Sequence, residues 1–410
     1  MSEFQTNKLK LFFINKFNWL APSPMATVST MSTWSLARQG VSTTFIVEGE
    51  PTWDTAAMLE QKFGLPPLDT YKVIPFKRII FNKIKATPVF FIRACRHIIR
   101  EAGKKGAVVI SRNTTFLPYL VLLKKIFGYT VLFESHAYHG METLPAIGQR
   151  HKHKTLGLSN QFRLIERLFL NQIDGLICIA PPQKELYGKD FVTIPITVLP
   201  LASMILPEQK DPKKTISSSK PKRLVYCGRP SPYVDINSIF EALHQTRSLN
   251  LSFTWLGIGG ENNKKLQERI NREGLSDRME LREWIPHREM VDYLLSEAHA
   301  GLASYKKYFF SLALLSPTKI LDYFAAGLPV IAPRLPTTEH IVSDRRNGLF
   351  FEVENTGSLS RAITELFTDN ALHSQLCKGA QESAREFSWE KRSERLIGFI
   401  GEVRSGPHLK

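Results

Sequence analysis

The run Ser316-Pro317-Thr318-Lys319, followed by Asp322, has the residue types and spacing to handle a phosphorylated ligand. Ser316 or Thr318 can cap a helix, and Pro317 fits a helix's first turn. The free N–H groups and positive dipole end of such a helix suit a phosphate. Lys319 adds a mobile positive charge, and Asp322, one turn further on, is compatible with a ribose. Gly327 ends the predicted helix, and Pro329-Val330-Ile331-Ala332 opens a buried strand. The plainer reading is an ordinary capped helix in an α/β domain. A second candidate is Gly228-Arg229, directly after a predicted strand. Glycine there permits a tight turn, and a guanidinium at that strand edge can pair with a diphosphate. A structural surface arginine is the alternative. Gly257-Ile258-Gly259-Gly260 also follows a predicted strand, but a lone GxGG is a weak phosphate signal. In the first half, Arg112 and the group Glu134-Ser135-His136 stand at the ends of two predicted strands. A merely structural histidine is the competing reading of His136.

The elements that must position these residues alternate strand and helix. Lys10–Asn15 reads as a buried parallel strand, then a helix from about Val28 to Arg38 stops at Gly40, and Thr43–Val47 is the next strand. Ala107–Ser111, Thr130–Glu134, Gly175–Ile179 and Thr193–Leu199 continue the series, with helices at Phe116–Phe127 and Ser159–Asn171. The segment 207–222, polar and rich in Lys, Ser and Pro, breaks the rhythm and reads as a linker. A new series starts at Arg223, with helices near Ile236–Thr246, Asn262–Glu273, Arg288–Ser296 and Ser358–Thr368 and a closing helix at Ser388–Val403. The pattern predicts an α/β chain with largely parallel sheets: an N-terminal domain over 1–206, the linker 207–222, a C-terminal domain over 223–386 and a terminal helical segment over 387–410.

A chain of 410 residues suffices for two domains, and 43% hydrophobic with 22% charged residues is a globular composition. No apolar run is long enough to span a bilayer. The N-terminus has an early acid and a broken apolar run, which argues against a secretory signal. The four cysteines match no zinc or redox spacing and read as reduced thiols of a cytoplasmic protein. The net charge of +16 is partly local: residues 71–106 hold ten Lys and Arg against the single acid Glu101, interleaved with Phe76, Phe81, Phe90 and Phe91. Such a stretch can lie on an anionic membrane, bind nucleic acid, or form a solvated helix face packed onto a core. No RNA-recognition, zinc-finger or KH pattern occurs, so nucleic acid is the weaker partner and no nucleic acid is expected.

The segment Ser316–Pro333, together with Asn347-Gly348-Leu349-Phe350-Phe351, resembles the signature of retaining family-4 glycosyltransferases. That resemblance implies the GT-B fold, in which two Rossmann-like domains face across a cleft. It also implies a nucleotide-diphosphate sugar as donor substrate, with no cofactor and no metal. By the same resemblance Asp322 takes the ribose, Ser316, Thr318 and Gly228 border the diphosphate, and Arg229 and Lys319 stabilise the leaving group. Gly257 shapes the site near the base, and Ile285 of Trp284-Ile285-Pro286-His287 lies beside the base. His136 is implied near the donor sugar, and Arg112 and Glu134 on the acceptor side. The terminal helix is implied to cross back to the N-terminal domain. The acceptor is implied to be a glycan or a lipid-linked envelope precursor, which favours the inner membrane surface as partner of residues 71–106. The chain departs from the family in two places. No lysine follows Arg229 at about position 234, and Leu314 stands where the first of two acids is usual.

Absences narrow the classes. There is no Walker A sequence, HExxH, Asp-x-Asp pair or Gly-x-Ser-x-Gly elbow. His139, His151 and His153 lack matched carboxylates, so no metal site is expected. Two alternatives stand beside the transferase: a non-catalytic GT-B scaffold that binds a glycolipid or a partner enzyme, and a sugar-nucleotide 2-epimerase.

Overall fold

The computed structural model describes residues 9–21, 23–81, 84–85, 87–103, 106–139, 152–190, 192–203, 221–259, 261–285 and 287–406. These form two compact units: one runs to Pro200 and takes in the chain from Trp389 onward, the other is Leu201–Ser388. Most of the sequence-predicted linker, residues 207–220, lies outside the described residues.

The first unit contains a seven-stranded sheet. Its strands are β1 (Lys10–Asn18), β2 (Ser42–Glu48), β3 (Tyr71–Phe76), β6 (Ala107–Ser111), β7 (Thr130–Ser135), β8 (Gly175–Cys178) and β9 (Ile196–Val198); β4 (Ile80–Phe81) and β5 (Ile84–Lys85) form a separate hairpin. The order is β3-β2-β1-β6-β7-β8-β9, all parallel. The order reverses between β1 and β6, the kind of switch point where open α/β sheets bind ligands. Strand β3 is not among the strands read from the sequence, and it contains Pro75. It is the edge strand of the sheet, where a missing N–H costs no ladder bond.

Helix Pro24–Arg38 lies against the sheet with Ser29, Thr30, Ser32, Thr33 and Ser35 all buried. Thr30 and Thr33 return their hydroxyls to the carbonyls of Ala26 and Ser29 at 2.7 and 2.8 Å, so these polar side chains need no water. Their small size admits the terminal helix Trp389–Ser405, whose Leu396, Phe399 and Ile400 are buried. Helix Thr87–Ala102 takes one of the readings left open, a solvated face packed onto the core. Its Phe90 and Phe91 are buried and pack on Phe76, Phe116 and Tyr119, while Arg93, Arg96 and Arg100 are exposed. The aromatic residues of the basic stretch therefore serve the core.

The second unit has a six-stranded sheet: β10 (Lys222–Cys227), β11 (Leu251–Ile258), β12 (Met279–Glu283), β13 (Ala300–Leu302), β14 (Val330–Pro333) and β15 (Gly348–Phe351). Its order is β12-β11-β10-β13-β14-β15, again all parallel, with the switch point between β10 and β13. Helices Ile236–Gln245 and Thr356–Thr368 cover one face of the sheet and helices Thr318–Ala325 and Asn370–Glu386 the other. Helix Asn370–Glu386, capped by Asp369, was not foreseen either.

Candidate functional site

Helix Thr318–Ala325 is seated on the switch point of the second sheet by one side chain. The hydroxyl of Tyr323 accepts the N–H of Cys227 at 2.9 Å and donates to the carbonyl of Leu302 at 3.2 Å, tying β10 to β13. The Tyr323 ring fills the space above Gly301, where an added Cβ would come within 2.1 Å of it. Lys319 is four residues earlier on the same helix face. Its ammonium rests 3.7 Å from the Tyr226 ring centre and 5.2 Å from that of Tyr305. It makes no ion pair with any described residue. Burial without a carboxylate pulls its pKa down from the ordinary lysine value to about 7.

The other residues singled out in the sequence gather around this lysine to different degrees. Gly228 has a φ of +132°, and a Cβ there would stand 3.3 Å from Lys319 Nζ. Its carbonyl accepts the Trp255 indole N–H at 2.8 Å, and Gly257, with φ +94°, backs onto it. Both positions need glycine for conformational reasons. Arg229 is exposed just beyond Gly228. Asp322 is buried and accepts the Ser203 hydroxyl at 2.8 Å. Ser316 is buried and accepts the N–H of Leu201 at 3.0 Å. Neither Ser316 nor Thr318 caps the helix: Pro317 occupies the cap position and no side chain bonds there. The predicted capping is thus corrected, because the Ser316 hydroxyl is taken by Leu201. Ile285 is half-buried against the core beside the exposed Trp284, and Pro286 lies outside the described residues. Leu314 and Val234, the two departures, are both buried apolar side chains.

The first unit holds a second constellation, at the ends of β6 and β7. Glu134 is fully buried, and one of its oxygens, Oε1, accepts from Arg112 at 2.8 Å, from Arg392 at 2.9 Å and from His136 Nε2 at 3.0 Å. Burial pushes the Glu134 carboxyl up, but the two guanidiniums and the imidazole outweigh it and hold it well below the usual carboxylate range. Arg112 also donates to Ser29 at 2.6 Å, and Arg392 to Ser32 at 3.0 Å and to the Pro200 carbonyl at 3.1 Å. Arg112 and Glu134 are thus committed to an internal network. His136 is the partly exposed member, at 32%. Burial and the nearby Arg112 lower its pKa against the opposing pull of Glu134, so it is neutral at pH 7. A neutral imidazole that donates from Nε2 keeps Nδ1 as an acceptor.

Arg392 carried no local signal in the sequence, since it lies in a charged terminal helix far from Glu134. Tyr226, Tyr305 and Ser203 were likewise missed, because only the sheet order brings them to Lys319 and Asp322. Among the described residues no cluster of His, Cys, Asp and Glu could hold a metal ion.

Residues 207–386 match the family model of glycosyl transferases group 1. The chain carries a glycosyl transferases group 1 domain. Lys319 and its surroundings therefore lie inside the group 1 domain. A curated relative is the chitobiosyldiphosphodolichol beta-mannosyltransferase of Candida albicans, 32% identical over 91 residues, which are 22% of this chain and 20% of that protein. The chain thus spans about a fifth of that relative's length. Among solved structures, sucrose-phosphate synthase from Thermosynechococcus elongatus superposes with a TM-score of 0.70 at 14% identity, covering 97% of this chain and 99% of the other. Anabaena Alr3699/HepE, solved in complex with UDP-glucose, superposes with a TM-score of 0.66 at 12% identity, covering 96% and 99%. The chain with the group 1 domain has their fold, GT-B, with two Rossmann-like α/β units.

Proposed function

We propose that this chain is a glycosyltransferase that moves a sugar from a nucleotide-diphosphate sugar to a glycan or lipid-linked acceptor, with retention of anomeric configuration. The observation that carries this reading is Lys319. An ammonium held over two aromatic faces at a sheet switch point, with no carboxylate partner among the described residues, gains most from an incoming dianion. Loss of the nucleoside diphosphate develops negative charge, and Lys319 and Arg229 are the cations proposed to meet it. The base lies beside Ile285, and the ribose beside Asp322, where it competes with the Ser203 hydroxyl. His136 offers Nδ1 to a sugar hydroxyl, oriented through Glu134. A phosphate oxygen of the donor takes the acceptor proton, so this reading requires neither a side-chain base nor a metal.

A thermal-shift screen against UDP, GDP, ADP and their common sugars tests the reading. A nucleotide bound only by the folded state raises the melting temperature. One nucleotide is expected to do so, with the shift reduced in Asp322→Ala and turnover lowered more than about tenfold in Arg229→Ala. No shift at millimolar ligand in a folded sample would favour the non-catalytic scaffold. Leu314 and Val234, buried where an acid and a lysine are usual in relatives, are the observation behind that second reading. Release of nucleoside diphosphate only in the presence of an acceptor would separate the transferase from an epimerase.

The membrane reading moves to a different surface. Among the described residues Leu122, Ile126, Leu164 and Leu168 are at least half exposed, on helices Leu117–Phe127 and Lys152–Phe169, which pack together. The exposed arginines of helix Thr87–Ala102 belong to the same unit. Exposed leucines with cations suit an anionic bilayer surface. Sedimentation with phosphatidylglycerol vesicles is expected to fall at least about fivefold in Leu122→Ser/Ile126→Ser, since each lost leucine-sized anchor weakens insertion by ~1 kcal/mol or more. Unchanged sedimentation would remove this surface from the proposal. No helix among the described residues is long and apolar enough to cross a membrane.

A further inference from the structure

At the turn from β10 into Gly228 the neighbouring polar groups are already paired. The N–H of Cys227 donates to the Tyr323 hydroxyl at 2.9 Å, the N–H of Gly228 to the carbonyl of Leu256 at 2.8 Å, and the Trp255 indole to the carbonyl of Gly228 at 2.8 Å. The Tyr226 hydroxyl is the exception: the residue is fully buried and its hydroxyl makes no hydrogen bond. An unbonded buried hydroxyl is costly, and one that persists beside a ligand site points to a partner that arrives with the ligand. We propose, on the reading of Lys319 given above, that the Tyr226 hydroxyl is a further ligand-binding group of the donor site, donating to the phosphate that the Lys319 ammonium meets.

The ring is held before any ligand arrives. Lys319 Nζ stands 3.7 Å from its centre, and the Trp255 ring packs against it at 4.6 Å between centres. A ring so fixed carries its hydroxyl in one place, so little freedom is lost when that hydroxyl bonds a ligand. Gly228 borders both groups: a Cβ there would stand 3.3 Å from Lys319 Nζ and 3.8 Å from Tyr226 Cε1. The absent side chain lets a ligand approach the ammonium and the phenol together. Ammonium and hydroxyl flank one ring, so two oxygens of a single phosphate group reach both. The flexible Lys319 side chain is the part that shifts to admit it. Burial, with Tyr305 and Tyr233 nearby, raises the Tyr226 pKa well above its ordinary value. The phenol therefore keeps its proton and acts as a donor, and an anion answers the hydroxyl and the ammonium at once.

Pyrophosphate, UDP, GDP and ADP are the probes, measured by calorimetry on the full chain. Tyr226→Phe keeps the ring beneath Lys319 and against Trp255 and removes the hydroxyl alone. It is expected to weaken binding of pyrophosphate, and of whichever nucleoside diphosphate the parent takes, at least about fivefold, the loss of one hydrogen bond to a charged group. The melting temperature of the ligand-free variant is expected to equal or exceed the parent's, because an unbonded buried hydroxyl is gone. Weaker binding together with undiminished stability is the result that a merely structural tyrosine does not give. Equal affinity in the parent and Tyr226→Phe would overturn the role of the hydroxyl and leave the donor site at Lys319 standing. A Tyr226→Phe variant that melts well below the parent without ligand would also overturn it, since the hydroxyl would then have a partner inside the fold. A parent that binds none of these probes at millimolar concentration would overturn the donor-site reading and the Tyr226 contact with it.

Discussion

Lys319→Met is expected to lower turnover about a hundredfold while leaving the fold at least as stable as before. The magnitude is that of removing one preorganised donor from a developing oxyanion, about 10²–10³ in kcat. The stability side follows from the surroundings of the ammonium. It lies buried over Tyr226 and Tyr305 with no carboxylate partner among the described residues, so the folded state disfavours its charge. Its pKa falls from 10.5 to about 7, and between those values the unfolded chain holds the proton more tightly than the folded one. Stability therefore rises with pH across that window, and the cost of the buried charge is full below about pH 7. Methionine removes that cost, so the variant gains most against the parent at pH 6–7, and the gain fades as the pH approaches 10.5. A merely structural lysine would give the opposite result. Guanidinium unfolding at pH 6.5 and pH 9.5 reads the stability difference directly. Ligand binding supplies a third readout. A nucleoside diphosphate favours the protonated lysine, so its dissociation constant should rise by up to about tenfold per pH unit above pH 7. That slope should disappear in Lys319→Met. A slope that survives the substitution would place the titrating group elsewhere.

Glu134→Ala is expected to cost about 3–5 kcal/mol of stability, the penalty for leaving buried charges without their counter-ion. The carboxylate is the common acceptor for Arg112 and Arg392, both nearly inaccessible, and no other described carboxylate pairs with either of them. Arg392→Met should cost less, since Glu134 keeps Arg112 and only one cation is lost along with its bonds to Ser32 and Pro200. The pH dependence has a definite sign. The folded-state pKa of Glu134 lies below the ordinary value of 4.5, so its contribution is fully present above that value and is lost as the pH falls through the folded pKa. Acid unfolding monitored by circular dichroism should begin at a higher pH in Glu134→Ala. The same variant is expected to lose activity beyond its loss of stability, because His136 loses the acceptor that orients its imidazole. Equal stability in the parent and Glu134→Ala would remove the network from the account of how the terminal helix is held.

Much of this protein was legible in the order of its residues. Continuous apolar runs separated by helical stretches specify parallel strands covered on both faces, and Gly228, Gly257 and Gly327 mark turns at strand and helix ends because only a residue without Cβ takes their backbone angles freely. The Ser316–Asp322 run indicated a phosphate site because its residue types are local and its chemistry is carried within one turn. What the order of residues could not show was anything that depended on distant partners. Ser316 reads as a helix cap by its neighbours, yet Leu201 takes its hydroxyl. Phe90 and Phe91 left a membrane surface and a core-packed helix both open, and packing on Phe116 and Tyr119 decides for the core. Arg112 and Glu134 read as acceptor-side side chains, and nothing local showed that an arginine 258 positions beyond Glu134 joins them. The sequence by itself determined the fold class, the two switch points' strand ends and the residue types of the proposed diphosphate site. Tertiary structure alone decided which charges are paired and which are not. Pairing is set by separations of a few ångströms between groups hundreds of residues apart, and that leaves Glu134 bound by two guanidiniums within its unit and Lys319 desolvated with no ion pair to any described residue.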